Sequence, residues 1–96
     1  MLLIPLNDIY FTQEHFRNKD QIRAIAKTIK EGGRVKKIEL FVQGGKICVY
    51  NGHHRAAAYY LAGRSSIYLG KYKMIKGHKK CSVFENIPKM VTEQMR

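Results

Sequence analysis

Two imidazoles and a guanidinium occupy consecutive positions, His53, His54 and Arg55. They follow Gly52 and sit between the apolar run Ile47-Cys48-Val49-Tyr50 and the small-residue run Ala56-Ala57-Ala58. The order reads as strand, glycine turn and helix start. A helix start leaves its first backbone N–H groups without intrahelical partners and carries the positive end of the helix dipole, so the junction is a candidate anion or phosphate site. Arg55 offers a planar fork that matches phosphate, and a histidine can hydrogen-bond or carry a proton near neutral pH. His53, His54 and Arg55 are therefore the candidate catalytic residues. The same spacing also fits a purely structural turn, in which Asn51-Gly52 reverses the chain, His53 caps the helix and Arg55 pairs with Glu31 or Glu39.

Other chemistries have less support in the residues. Adjacent helical residues point about 100° apart, so His53 and His54 do not chelate one ion from a helix. His15 and His78 are distant in sequence, with no HExxH or Cys/His spacing to connect them. Cys48 and Cys81 lack the spacing of a zinc or redox pair and read as buried or inert thiols. Ser65-Ser66 has no GxSxG context, and neither a GxGxxG nor a GxxxxGK loop is present. The acids that a two-metal nuclease would draw on, Glu14, Glu31, Glu39 and Glu85, read as solvated surface groups.

Charge surrounds the turn asymmetrically. Eighteen basic residues against seven acidic give a net charge of +11, and no acid occurs between Glu39 and Glu85. That interval holds Arg64, Lys71, Lys73, Lys76, Lys79 and Lys80 as well as Arg55. These six are candidate nucleic-acid contacts, and DNA or a nucleotide is the expected partner. Lysines that only keep a small protein dispersed in water are the alternative. A protein partner or a homodimer stays open, whereas no long amphipathic helix with a basic face points to a membrane. The opening Met1-Leu2-Leu3-Ile4-Pro5-Leu6 lacks a basic n-region and is too short to span, so a cytoplasmic setting is expected.

The elements that must position the turn follow from pattern. A hydrophobic content of 45% in 96 residues fits one folded domain over 1–96. Leu2 to Phe11 reads as a first strand with Pro5 near its beginning, and Thr12 to Arg17 as a loop. Asn18 and Gln21 resemble a capping box, with Ile22, Ile25, Ala26 and Ile29 on one helical face and Gly32-Gly33 as the stop. Ile38, Leu40 and Val42 alternate with Glu39 and Phe41 before Gly44-Gly45, a hairpin signal leading to Ile47. His53 to Ala62 reads as a helix ended by Gly63, close to a sheet through its three alanines. Ser66 to Ile75 is strand-like but interrupted by Gly70, Gly77 to Lys80 is too polar for core, and 81–96 is an uncertain extension. The order gives a small mixed α/β domain.

These residues, taken in order, resemble a known family. Ile9-Tyr10-Phe11-Thr12-Gln13, Ile25 to Gly33, Ile38-Glu39-Leu40, Gly52-His53-His54-Arg55-Ala56-Ala57-Ala58 and Ala62-Gly63 are similar to the N-terminal domain of the ParB family, to about Ile75. The resemblance implies an α+β fold, a small ParB/sulfiredoxin-like domain with a mixed sheet and helices packed against it. It implies that Gly52, His53, His54 and Arg55 hold nucleotide phosphates. Gln13 and Arg17 would lie in the loop opening toward the nucleotide, and Gly33 and Arg34 in a glycine turn near the base. Glu85-Asn86-Ile87-Pro88-Lys89 echoes the family's Glu-Asn-x-x-Arg motif, which implies a nucleotide role for Asn86 and a metal role for Glu85. Pro88 argues against a helix continuing there.

Departures from the family narrow the function. Partition proteins usually carry Gly-Glu-Arg-Arg, so His53-His54 removes an acid and an arginine and argues against partition-type CTP hydrolysis. Sulfiredoxin has Gly-Cys-His-Arg, and His53 stands where its reactive cysteine would be. The expectation is a nucleotide- or nucleic-acid-phosphate domain, a ParB-like nuclease or NTPase with Mg2+ or Mn2+ as cofactor, including toxin or mobile-element DNases. The alternatives are a non-catalytic DNA- or nucleotide-binding regulatory module and, since Gly-His-His-Arg is similar to the family's serine kinases, a small-molecule phosphotransferase.

Overall fold

The computed structural model describes residues 3–76 and 80–95. Its chain contains six strands: β1 (Leu3–Pro5), β2 (Ile9–Tyr10), β3 (Ile38–Gln43), β4 (Lys46–Asn51), β5 (Ser66–Tyr68) and β6 (Tyr72–Met74). Three helices accompany them, α1 (Lys19–Lys30), α2 (His53–Leu61) and α3 (Ile87–Gln94). The main sheet is mixed, in the order β2-β4-β3-β6, with β2 parallel to β4, β3 antiparallel to β4, and β6 parallel to β3. β1 and β5 form a separate antiparallel pair.

The expected first strand is in fact two. Leu6–Asp8 form a 3-10 turn between β1 and β2, and this turn drives Leu6 and Ile9 into the core while switching the chain from one sheet to the other. The segment Ser66 to Ile75 bends in the same way at Leu69–Lys71, around the Gly70 that interrupts its pattern. In the hairpin, Gly44 and Gly45 have φ of +58° and +77°, the left-handed pair that a two-residue turn requires. Register then slips: Glu39 faces Asn51 but Leu40 faces Val49, which leaves Tyr50 as the extra residue on β4. Val42, expected on the same face as Leu40, is 62% exposed at the strand end, and Phe41 is buried instead, edge-on to Tyr50.

α1 begins where the sequence places it. Asn18 Oδ1 accepts the Gln21 N–H at 3.0 Å, while Ile22, Ala26 and Ile29 face the core. α2 buries Ala56, Ala57 and Ala58 completely, so its backbone packs directly on its neighbours. The two helices lie side by side and run in the same direction. His54 at the start of α2 meets Asn18 at the start of α1, and Arg64, just past the end of α2, reaches the Ile29 carbonyl near the end of α1.

The segment after residue 80 is part of the packed structure. Phe11 exchanges backbone hydrogen bonds with Phe84 and Glu85, at 2.9 and 3.0 Å, and Tyr10 bridges Asn86. Pro88 does not prevent a helix; it lies in the first turn of α3, where a missing N–H is harmless. Ile87, Met90 and Val91 are buried. Among the described helices none is long and apolar enough to cross a membrane.

Candidate functional site

Gly52 enters α2 with φ +94° and ψ 37°, a left-handed conformation that glycine adopts without steric cost. A side chain would also find no room: a Cβ there would lie 2.8 Å from Arg55 Nη2, 2.9 Å from Arg55 Nε and 2.9 Å from Ile38 Cγ2. Arg55 therefore folds back over the turn. Its Nε is buried and has no hydrogen-bond partner among the described residues. Neither Glu31 nor Glu39 neutralises it; Glu39 pairs with Lys73 at 3.6 Å.

His53 is the first residue of α2 and does not cap it. Its ring is only 7% exposed and stacks on Phe11 with centroids 5.8 Å apart. Thr12 Oγ1 donates to the Val49 carbonyl at 2.8 Å, so its lone pairs face His53 Nε2 at 3.0 Å. The network assigns the proton to His53 Nε2. Burial first, then the neighbouring His54, lower the His53 pKa to about 4, so the ring is neutral at pH 7.

His54 has the opposite tautomer. The Asn18 N–H donates to His54 Nε2 at 3.1 Å, which puts the ring proton on Nδ1. Burial and then Arg17 hold its pKa below the ordinary histidine value. The hydrogen bond ties the starts of α1 and α2 together, and a cleft of about 350 Å³ opens beside it. Gln13, Arg17, Gln21 and Ile25 form one wall, and Asn51 to Arg55 the other. No carboxylate lines it. Two helix N-termini and two arginines thus converge on one opening, an electrostatic environment suited to an anion.

Gln94 of α3 supports the loop wall. Its Nε2 donates to the Glu14 carbonyl at 2.8 Å and its Oε1 accepts the Phe16 N–H at 3.2 Å. This clamps both sides of His15, next to Arg17.

Of the residues singled out in the sequence, Gln13, Arg17, Gly52, His53, His54 and Arg55 meet at this cleft. Arg34 lies in an adjoining hollow of about 210 Å³ that shares Ile25 and Arg55, and Gly33 lines a third opening with Arg64 and Lys71. Asn86 is elsewhere: its Oδ1 caps α3 by accepting the Lys89 N–H at 2.9 Å. Glu85 pairs with Lys89 at 3.3 Å, so this acid is turned to its own helix rather than to the cleft. Lys73 is paired, Lys76 and Lys80 are exposed away from the cleft, and Lys79 lies outside the described residues. Among the described residues no group of three or more His, Cys, Asp or Glu is arranged around a common point. Of the two thiols read as buried or inert, Cys48 is buried, which raises its pKa, and Cys81 is half-buried. Thr12, Gln21, Asn51 and Gln94 were not among the site residues expected from the sequence. Asn51 was read as part of the turn at Gly52 and Gln21 as a helix-capping residue, whereas nothing in the pattern of the C-terminal stretch marks Gln94.

No family model matches the chain, and no curated protein matches it. Among solved structures, it superposes on the crystal structure of sulfiredoxin from Arabidopsis thaliana with a TM-score of 0.61. The fold is ParB/sulfiredoxin-like. The superposition covers 79% of this chain and 84% of that one at 21% identity, a likeness of fold. Within that fold, the candidate site residues are those gathered at the Gly52 turn.

Proposed function

We propose that this protein is a phosphate-binding domain of the ParB type, taking the phosphate of a nucleotide or nucleic acid between the starts of α1 and α2. The observation that carries the reading is the cleft itself, where Arg17, Arg55 and two helix N-termini face one opening without a carboxylate. Arg55 supplies the fork, and its orphaned Nε would gain an acceptor if the side chain turned slightly toward a bound anion. Backbone N–H groups of His53, His54 and Arg55 are the first-turn donors, because Ala56 is the first residue of α2 whose N–H reaches back, to the Gly52 carbonyl at 2.8 Å. Gly52-His53-His54-Arg55, which resembles the family's phosphate-binding motif in its glycine and final arginine, supports the same assignment.

Thermal shift with inorganic phosphate and with mononucleotides tests it. Saturating ligand should raise the Tm by several degrees, and Arg55→Ala or Arg17→Ala should remove the shift. No shift with any phosphate-bearing ligand would sink the reading.

A hydrolytic version of the same site is supported by one observation, the neutral His54 on the cleft wall. His54 Nε2, on exchanging the Asn18 N–H for a water, would be the general base. His53, buried with its Nε2 engaged, would instead hold the turn in shape. In this version His54→Ala abolishes turnover of nucleotide or DNA, assayed with added Mg2+ or Mn2+, while phosphate still raises the Tm.

A further inference from the structure

The cleft at Gly52 is the first of three openings strung along the α1–α2 seam. Ile25 and Arg55 belong to both the first and the second, and the second adds Arg34 and Lys36. Gly33, next to Arg34, lines the third, an opening of about 350 Å³ walled by Ile29, Tyr59, Ile67 and Tyr68 with Arg64 and Lys71. On α1 the lining residues are Gln21, Ile25, Thr28 and Ile29, which fall at i, i+4, i+7 and i+8 and so share one helix face, and Gly32 continues the lining just past the helix end. The Tyr59 phenol feels both Arg55 and Arg64, which links the ends of the series, although burial dominates and raises its pKa.

Across all three linings there are six cations and no carboxylate. The third opening differs from the first in chemistry. It is more apolar, and Tyr68 stands 67% exposed at its rim, an aromatic face with no packing role to explain it. A row of cations ending at an open aromatic suits a chain of phosphates that carries flat bases.

We propose that the seam is a track for single-stranded nucleic acid: one phosphate sits at the Gly52 turn, the next passes Arg34 and Lys36, and a base stacks on Tyr68 with its phosphate on Arg64 and Lys71. This rests on the phosphate reading of the first cleft and names the substrate class for it. The twelve residues of α1 cover about 18 Å at 1.5 Å per residue. That suits a site of about four nucleotides, the short end of single-strand modules. The β5–β6 bend then has a purpose, since it presents Tyr68 and Lys71 at the end of the track.

The test is a length series of fluorescent oligonucleotides, from mononucleotide to octamer, with duplex of equal length and an acidic peptide as comparisons. Affinity should climb to about four nucleotides and then level, and duplex and peptide should bind at least tenfold more weakly. Tyr68→Ala should weaken tetramer binding by on the order of tenfold. Arg64→Ala with Lys71→Ala should flatten the slope of log affinity against log salt by about 0.7, the value for the one phosphate the pair holds. Both sets of substitutions should leave the mononucleotide shift intact, because they lie outside the first cleft. A tetramer that binds no better than a mononucleotide overturns the track while the phosphate site stands, and duplex or peptide binding equally well overturns it too. Failure of every phosphate ligand removes both.

Discussion

Gly52 is where backbone conformation and the proposed ligand chemistry meet in one residue. With φ at +94° and Arg55 folded onto its Cα, alanine would strain the backbone and push the guanidinium away. Gly52→Ala should therefore cost about 1–2 kcal/mol of stability and also lose phosphate-induced stabilisation, both readable in thermal melts. Its neighbours set a pH dependence. The folded His53 has a pKa of about 4 against 6.5 unfolded, and His54 is shifted in the same direction. As pH falls from 6.5 toward 4, the unfolded chain takes up protons that the folded one refuses. The stability contribution is thus complete above pH 6.5 and is lost on acidification, by on the order of 3 kcal/mol for His53. Melting temperature measured from pH 7 to pH 4 should fall, and His53→Gln, which keeps a donor near Thr12, should flatten that fall. An equal fall in the variant would show that the histidine is not responsible.

Among the elements, α1 and α2 were legible because their signals are local. The Asn18 cap, the Ile22–Ala26–Ile29 face and the Gly32 and Gly63 stops each act within a turn or two of the residue that carries them. The strands were less so. Two continuous-looking apolar segments each break at a 3-10 turn and divide between two sheets, and what decides the break is pairing with distant strands: β1 with β5, β2 with β4 and β6 with β3. Pro88 was misread for a related reason, since a proline opens a helix or ends one according to what precedes it, and here Asn86 supplies the cap. Gln94 was invisible because both of its partners lie about eighty residues away in the chain. Removing it should free the Thr12–Arg17 loop. Gln94→Ala should cost about 1–2 kcal/mol for two hydrogen bonds, speed amide exchange at Phe16 and shrink the nucleotide-induced Tm shift. Unchanged exchange at Phe16 would mean that the loop is held by other contacts.

For the molecule as a whole, charge and core make opposite demands. A net charge of +11 on 96 residues favours binding of polyanions and works against compaction, so the apolar contacts must be spread through the whole chain. The segment after residue 80 shows how fully they are. Phe84 and Glu85 pair with Phe11 beside the loop that forms the cleft wall, and α3 packs against α2 and the Leu6–Asp8 turn. Burying Ile87, Met90 and Val91 contributes about 5–9 kcal/mol, taking about 1.5–3 for each side chain. A domain of this length has a total stability of roughly 5–14 kcal/mol. Ending the chain at Ser82 would therefore remove most or all of the margin, and would strip the loop of its Gln94 clamp and Phe11 of its pairing. The shortened chain should show no cooperative melt and no response to phosphate. A cooperative transition with an intact phosphate shift would establish instead that the portion to about Ile75 folds and binds unaided.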